Sequence, residues 1–189
     1  MEGSDRAAVL RAKAGDRDAF REIVEAHSRH VFGLAFRMTG NEEDAEDVVQ
    51  ETFLKAYRAI ERFEGASEVS TWLHRIAANC AVDLLRRRPK PARSSFGAGE
   101  APEPDTFPDI RSGPEAAAFG SEIDRRVRAS LERLSAMERA AFTLRHFEGR
   151  SIADIARLLG VRAGAARNCV FRAVAKLREE LAPLRGSVP

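Results

Sequence analysis

From Phe20 onward, apolar residues and one histidine recur every three or four positions: Phe20, Ile23, Val24, His27, Val31, Leu34, Ala35 and Met38. That spacing gathers them into one stripe on a helix and predicts a single buried face. Thr39-Gly40 ends the stripe, and another begins at once. Asn41 stands where an N-cap belongs, with Asp44 three residues on, and Ala45, Val48, Val49, Phe53, Ala56, Tyr57 and Ile60 carry the period forward. β-Branched residues are scattered and never alternate for long, so the chain is expected to be all-α.

The helical pattern stops at the stretch PKPARSSFGAGEAPEPDTFPDIRSGPEAAAFG, residues 89–120, which is rich in Pro, Gly, Ser and Ala. Such a segment cannot bury enough surface to fold alone and reads as a flexible linker. Two small helical domains are therefore expected, 1–88 and 121–189, joined by 89–120. Charge divides along the same boundaries. Residues 121–189 hold 14 Lys/Arg against 8 Asp/Glu, a net +6, while 1–88 hold 14 against 16 and 89–120 hold 3 against 5. A basic end favours a polyanionic partner.

In the first half a third helix is expected from STWLHRIAANCAVDLLRRR, residues 70–88, with Leu73, Ile76, Ala77, Cys80 and Leu84 buried and Ser70 as its cap. Trp72 falls beside that stripe and reads as a packing residue. The preceding helix presents an acidic face, Glu43, Asp44, Glu46, Asp47, Gln50 and Glu51, and a polar loop, Glu64 to Ser70, connects the two. In the second half LERLSAMERAAFTL, residues 131–144, predicts one amphipathic helix. EGRSIADIARLLGV follows, with Ser151 and Asp154 in capping-box positions and Gly160 as the break. Next comes RAGAARNCVFRAVAKLREEL, whose Ala166, Val170, Ala173, Val174 and Leu177 face inward and leave Arg162, Arg167, Asn168 and Arg172 outside. Helix, tight glycine turn and basic second helix spell a helix-turn-helix.

Taken in order, GNEEDAEDVVQETFLKAYRAIERFEG, STWLHRIAANCAVDLLRRR, LSAMERAAFTLRHFEGRSIADIARLLGV and RNCVFRAVAKLREEL resemble a bacterial RNA polymerase sigma factor of the small extracytoplasmic-function type. The resemblance implies a region 2 bundle in 1–88 and a region 4 helix-turn-helix domain in 121–189. It gives Asp44, Asp47, Gln50, Glu51 and Phe53 the task of docking on the clamp helices of the largest subunit of core RNA polymerase, with the flap region of the second-largest subunit as a further contact. An acidic, partly apolar face suits a basic coiled coil. The resemblance also assigns Gly65, Ala66, Ser67, Glu68, Val69 and Ser70 to a pocket for a flipped base at the minus-ten promoter element. Arg75, Asn79, Arg86, Arg87 and Arg88 would lie along the melted strand. Arg162, Ala165, Arg167, Asn168 and Arg172 would read the minus-thirty-five element. Three positions depart from the family pattern, since Arg162 and Ala165 stand where a small hydroxyl residue is usual, and Cys169 often has a basic counterpart. An anti-sigma factor is the implied regulator.

A helix-turn-helix regulator acting without polymerase is the competing reading, and it leaves the acidic face and the loop without a purpose. No phosphate-binding glycine loop or nucleophile signature is present, so no catalysis and no cofactor are expected. Cys80 and Cys169 have no second cysteine nearby, and His27 and His30 lack a carboxylate or thiolate at ligand spacing, so no metal is expected. Neither a membrane span nor an apolar signal region is present, which makes the expected location the cytoplasm.

Overall fold

A computed structural model describes residues 2–65, 67–87 and 129–182. The expected linker 89–120, Ala66 and Arg88 lie outside the described residues. Helices α1 (Glu2–Lys13), α2 (Arg17–Thr39) and α3 (Glu42–Ala59) are followed by a short 3-10 turn, Ile60–Arg62, and by α4 (Val69–Arg87). Beyond the linker come α5 (Ala136–His146), α6 (Ile152–Leu159) and α7 (Ala163–Leu181). The described residues form no strand.

Each boundary has a local cause. Asp16 caps α2 by accepting from the backbone N–H of Asp18 and Ala19, and Asn41 caps α3 by accepting from Asp44 N. Gly40 ends α2 at φ +83, donating its N–H to Phe36 O over 2.8 Å. A side chain there would be doubly opposed, because an added Cβ would stand 2.5 Å from Arg139 Nη2. Gly40→Ala is therefore expected to cost about 1–2 kcal/mol from the left-handed backbone alone, with further loss from displacing Arg139. Thermal denaturation followed by circular dichroism checks this.

Two stretches fold differently from expectation. Residues 131–144 are not one helix. Ser135 takes an extended conformation and opens α5 with a full capping box, accepting from Glu138 N while Glu138 accepts from Ser135 N. Ser70 is not a cap either: α4 begins at Val69, and the Ser70 hydroxyl donates to Glu68 Oε2 at 3.2 Å.

Ile23, Leu34, Met38, Val48 and Leu73 are fully buried between α2, α3 and α4. The core does not stop at the linker, because Ala140, Ala141, Leu144, Ile155 and Leu158 belong to the same apolar cluster. Helices α5 and α6 pack on α4, and α5 also packs on α2. This accounts for a second buried face on α4. Besides Leu73, Ala77 and Cys80, the helix buries His74, Ala78, Ala81 and Val82. His74, Ala78 and Ala81 lie on one side at helical spacing, and the two alanines allow a close approach. A smaller cluster, Leu131, Leu134, Ala173 and Leu177, holds α7 to the segment before α5.

Candidate nucleic-acid interface

The acidic face of α3 is where the pattern put it. Asp47, Gln50 and Glu51 are exposed, and Glu51 lies 3.3 Å from Lys55. Asp44 has a local duty, since its carboxylate accepts from Asn41 Nδ2 at 2.6 Å and its N–H is capped by the same side chain. Phe53 corrects the expectation: it is buried, on the side of α3 that packs into the bundle. Exposed apolar surface on α3 comes instead from Leu54 and Tyr57. Leu54 sits one turn beyond the polar Gln50-Glu51 pair and so falls outside the core period. Between α3 and α4 runs a groove of about 400 Å³ lined by Asp47, Gln50, Glu51, Leu54, Asp83 and Arg87. Cys80 lies at the same groove, where Lys55 Nζ stands 3.5 Å from its sulfur. Burial pushes the Cys80 thiol above its ordinary value despite the neighbouring lysine.

Gly65, Ser67 and Glu68 are exposed in the loop before α4, and Ser70 is half-buried. Val69 is a second correction, because it is buried as the first residue of the helix and presents no side chain to a base. Arg75, Arg86 and Arg87 are exposed along α4. Asn79 is exposed as well, but its Nδ2 donates to Leu158 O of the other half at 3.4 Å. Trp72 is buried, 4.8 Å from the Phe63 ring, as its place beside the stripe indicated.

In the second half Ser151 caps α6 and Gly160 turns it at φ +64, with Val161 N–H closing on Ala156 O at 3.0 Å. Arg162 is the N-cap residue of α7, without a side-chain cap bond, and Ala165, Arg167 and Asn168 are exposed on its first turns. Cys169 is buried in the apolar core. Arg172 is exposed but its Nε lies 3.6 Å from Glu138 Oε1. Glu138 is itself buried, holds Lys176 Nζ at 2.8 Å, and ties α7 to α5. Burial pushes its carboxyl up, yet the bonds from Lys176 and from the Ser135 N–H outweigh this and hold it below the ordinary value. The native state thus binds this proton less readily than the unfolded chain. Its contribution is complete above the ordinary glutamate value and is lost as pH falls through the lowered one. Glu138→Gln is expected to flatten the acid limb of stability, read from urea midpoints between about pH 3 and 6.

Contacts between the halves are partly polar. Arg37 of α2 pairs with Glu148, and Arg150 Nη2 lies 3.4 Å from His74 Nδ1. No group of three or more metal-ligating side chains is found among the described residues. None of the described helices is long and apolar enough to cross a membrane.

Comparison with known proteins gives two family models, Sigma-70 region 2 over residues 23–90 and Sigma-70 region 4 over 124–177. The RNA polymerase sigma-H factor of Pseudomonas aeruginosa is 39% identical over 184 residues, covering 95% of each chain. The ECF RNA polymerase sigma-E factor of Haemophilus influenzae is 36% identical, covering 96% of this chain and 97% of its own. Among solved structures, the sigma factor RpoE of Bartonella quintana in complex with the anti-sigma factor NepR matches with a TM-score of 0.60 at 26% identity, over 86% of this chain and 96% of that one. The region 2 and region 4 models fall in that order on the two halves of the chain, and the chain belongs to the extracytoplasmic-function family of RNA polymerase sigma factors.

Proposed function

We propose that this chain is a promoter-specificity subunit: it binds core RNA polymerase, directs it to promoters with two recognition elements, and helps to melt the upstream edge of the transcription bubble. The observation that carries the reading is the pairing of an exposed acidic face on α3, with Asp47, Gln50 and Glu51, and exposed basic side chains on α4 and α7. A DNA-binding regulator acting alone needs only the second. Residues 1–88 form the polymerase-binding and minus-ten unit, 121–189 the minus-thirty-five unit, and 89–120 the tether. The clamp helices receive Asp47, Gln50 and Glu51, together with Leu54 and Tyr57 as the apolar part of the contact. The loop from Gly65 to Glu68 with Arg75, Asn79, Arg86 and Arg87 faces the minus-ten strand. Arg162, Arg167 and Asn168 face the minus-thirty-five groove, and Arg172 joins them once it leaves Glu138. The protein works in the cytoplasm, catalyses no reaction itself, and is held inactive by an anti-sigma factor of the kind bound to the similar sigma factor from Bartonella quintana.

Neutralised phosphates release counterions, so the arginines of α7 leave a signature in salt. Two phosphate contacts, from Arg162 and Arg167, give a slope of log affinity against log salt near −1.8, about a tenfold loss between 50 and 200 mM. The holoenzyme carrying Arg162→Ala and Arg167→Ala is expected to bind promoter DNA more weakly, with a slope shallower by about that amount. An unchanged slope in filter-binding assays would remove these two residues from the interface.

A further inference from the structure

The second half of the chain packs on α4 beside Asn79, and a histidine stands at the point of contact. His74 is buried on α4, and its Nδ1 accepts from Arg150 Nη2 at 3.4 Å. An imidazole nitrogen accepts only while it carries no proton, so this contact requires the neutral ring, with its proton on Nε2. Protonation turns the acceptor into a donor pointed at a guanidinium and sets two cations side by side. From the loop between α5 and α6, Glu148 and Arg150 face His74. From α2 come His30 and His27, and Arg37 acts through its pair with Glu148. Asp5 of α1 is taken up by His27 at 3.2 Å, and Lys55 of α3 by Cys80 and Glu51.

From this geometry we propose that His74 and Arg150 form a proton-sensitive latch between the two halves, closed while His74 is neutral and released when it is protonated. Several features suit a latch rather than a permanent weld. The polar part of the interface is imperfect, because Arg37 Nε and Arg150 Nε are buried without a hydrogen-bond partner. Such groups offset part of the apolar gain of docking. Burial, joined by the charge of Arg150 and opposed by Glu148, holds His74 below the ordinary value of 6.5. The docked state therefore binds fewer protons than the open one. Docking is at full strength above the ordinary histidine value and weakens progressively as pH falls below it. Release also frees Asn79 from the Leu158 carbonyl, and the benefit to promoter binding rests on the function proposed above. The opening itself does not.

Small-angle scattering of the full chain between pH 8 and 5.5 tests the latch without polymerase or DNA, so its failure is separate from failure of the promoter reading. The radius of gyration is expected to rise as pH falls, with a midpoint below 6.5, while helical circular dichroism stays constant. His74→Gln, whose amide oxygen can accept from Arg150 without titrating, is expected to stay compact throughout. Should that variant fail to fold, Arg150→Gln serves, because it lies outside the first-half core and removes the like charge; its expansion on acidification is expected to be much smaller. A wild-type chain of constant dimensions, or variants that expand as the wild type does, would overturn the latch.

Discussion

Reversing two charges on α3, with Asp47→Lys and Glu51→Lys together, is expected to weaken binding to core RNA polymerase by about a hundredfold or more while leaving the fold in place. Both side chains are exposed and lie beyond the first turn of the helix, so neither caps it nor gains much from its dipole. The local cost is confined to the pair that Glu51 makes with Lys55, worth a few tenths of a kcal/mol and turned into a similar repulsion. Opposite a basic coiled coil, each reversal exchanges attraction for repulsion, and the two together cost about 3 kcal/mol or more. Co-elution on size-exclusion chromatography should vanish at micromolar concentration while the melting temperature moves little. Retained co-elution would take this face out of the docking surface.

Phe53→Ala is expected to act on the same helix in the opposite manner, costing about 3–5 kcal/mol of stability through the cavity left in the bundle. Its ring is buried, so any loss of polymerase binding should follow the unfolded fraction and recover on cooling or with stabilising osmolyte. Leu54→Ala, next in sequence but 45% exposed, should change stability by no more than about 0.5 kcal/mol and weaken docking directly. Parallel urea titrations and polymerase pull-downs separate the two. A Phe53→Ala protein that is fully stable yet fails to dock would restore Phe53 to the interface.

Helices α2, α3 and α4 were legible because each carries an apolar stripe at the helical period and a residue that marks an end, such as Asn41 or Gly40. The helix-turn-helix was legible for the same reasons, through Ser151, the apolar run of α6 and Gly160. Helix α1 was hidden because the buried residues among its described side chains are Ala8, Val9 and Ala12, small residues that make a faint stripe. The break before α5 was hidden because Leu131, Leu134 and Met137 continue a helical spacing across it. Only the Ser135–Glu138 pair gives it away.

The site divides in the same manner. Exposure of Asp47, Glu51, Arg75 and Arg167 follows from which face of each helix the core occupies. Phe53 and Val69 were ambiguous because each stands at the margin between a functional stretch and an apolar stripe, and packing decided for the stripe. The docking of the halves was illegible, since it joins residues far apart in sequence. Its marks on α4, Ala78, Ala81 and His74, read as an ordinary second side until α5 and α6 cover them.

Promoter-directed initiation is the central claim, and reconstitution tests it most directly. Core polymerase, purified with and without this protein, is given genomic DNA fragments and nucleotides, and the 5′ ends of the transcripts are sequenced. The expected result is a set of start sites that appear only with the protein and share a pair of elements centred near minus ten and minus thirty-five. Absence of such start sites, together with no co-elution with core polymerase, would contradict the account.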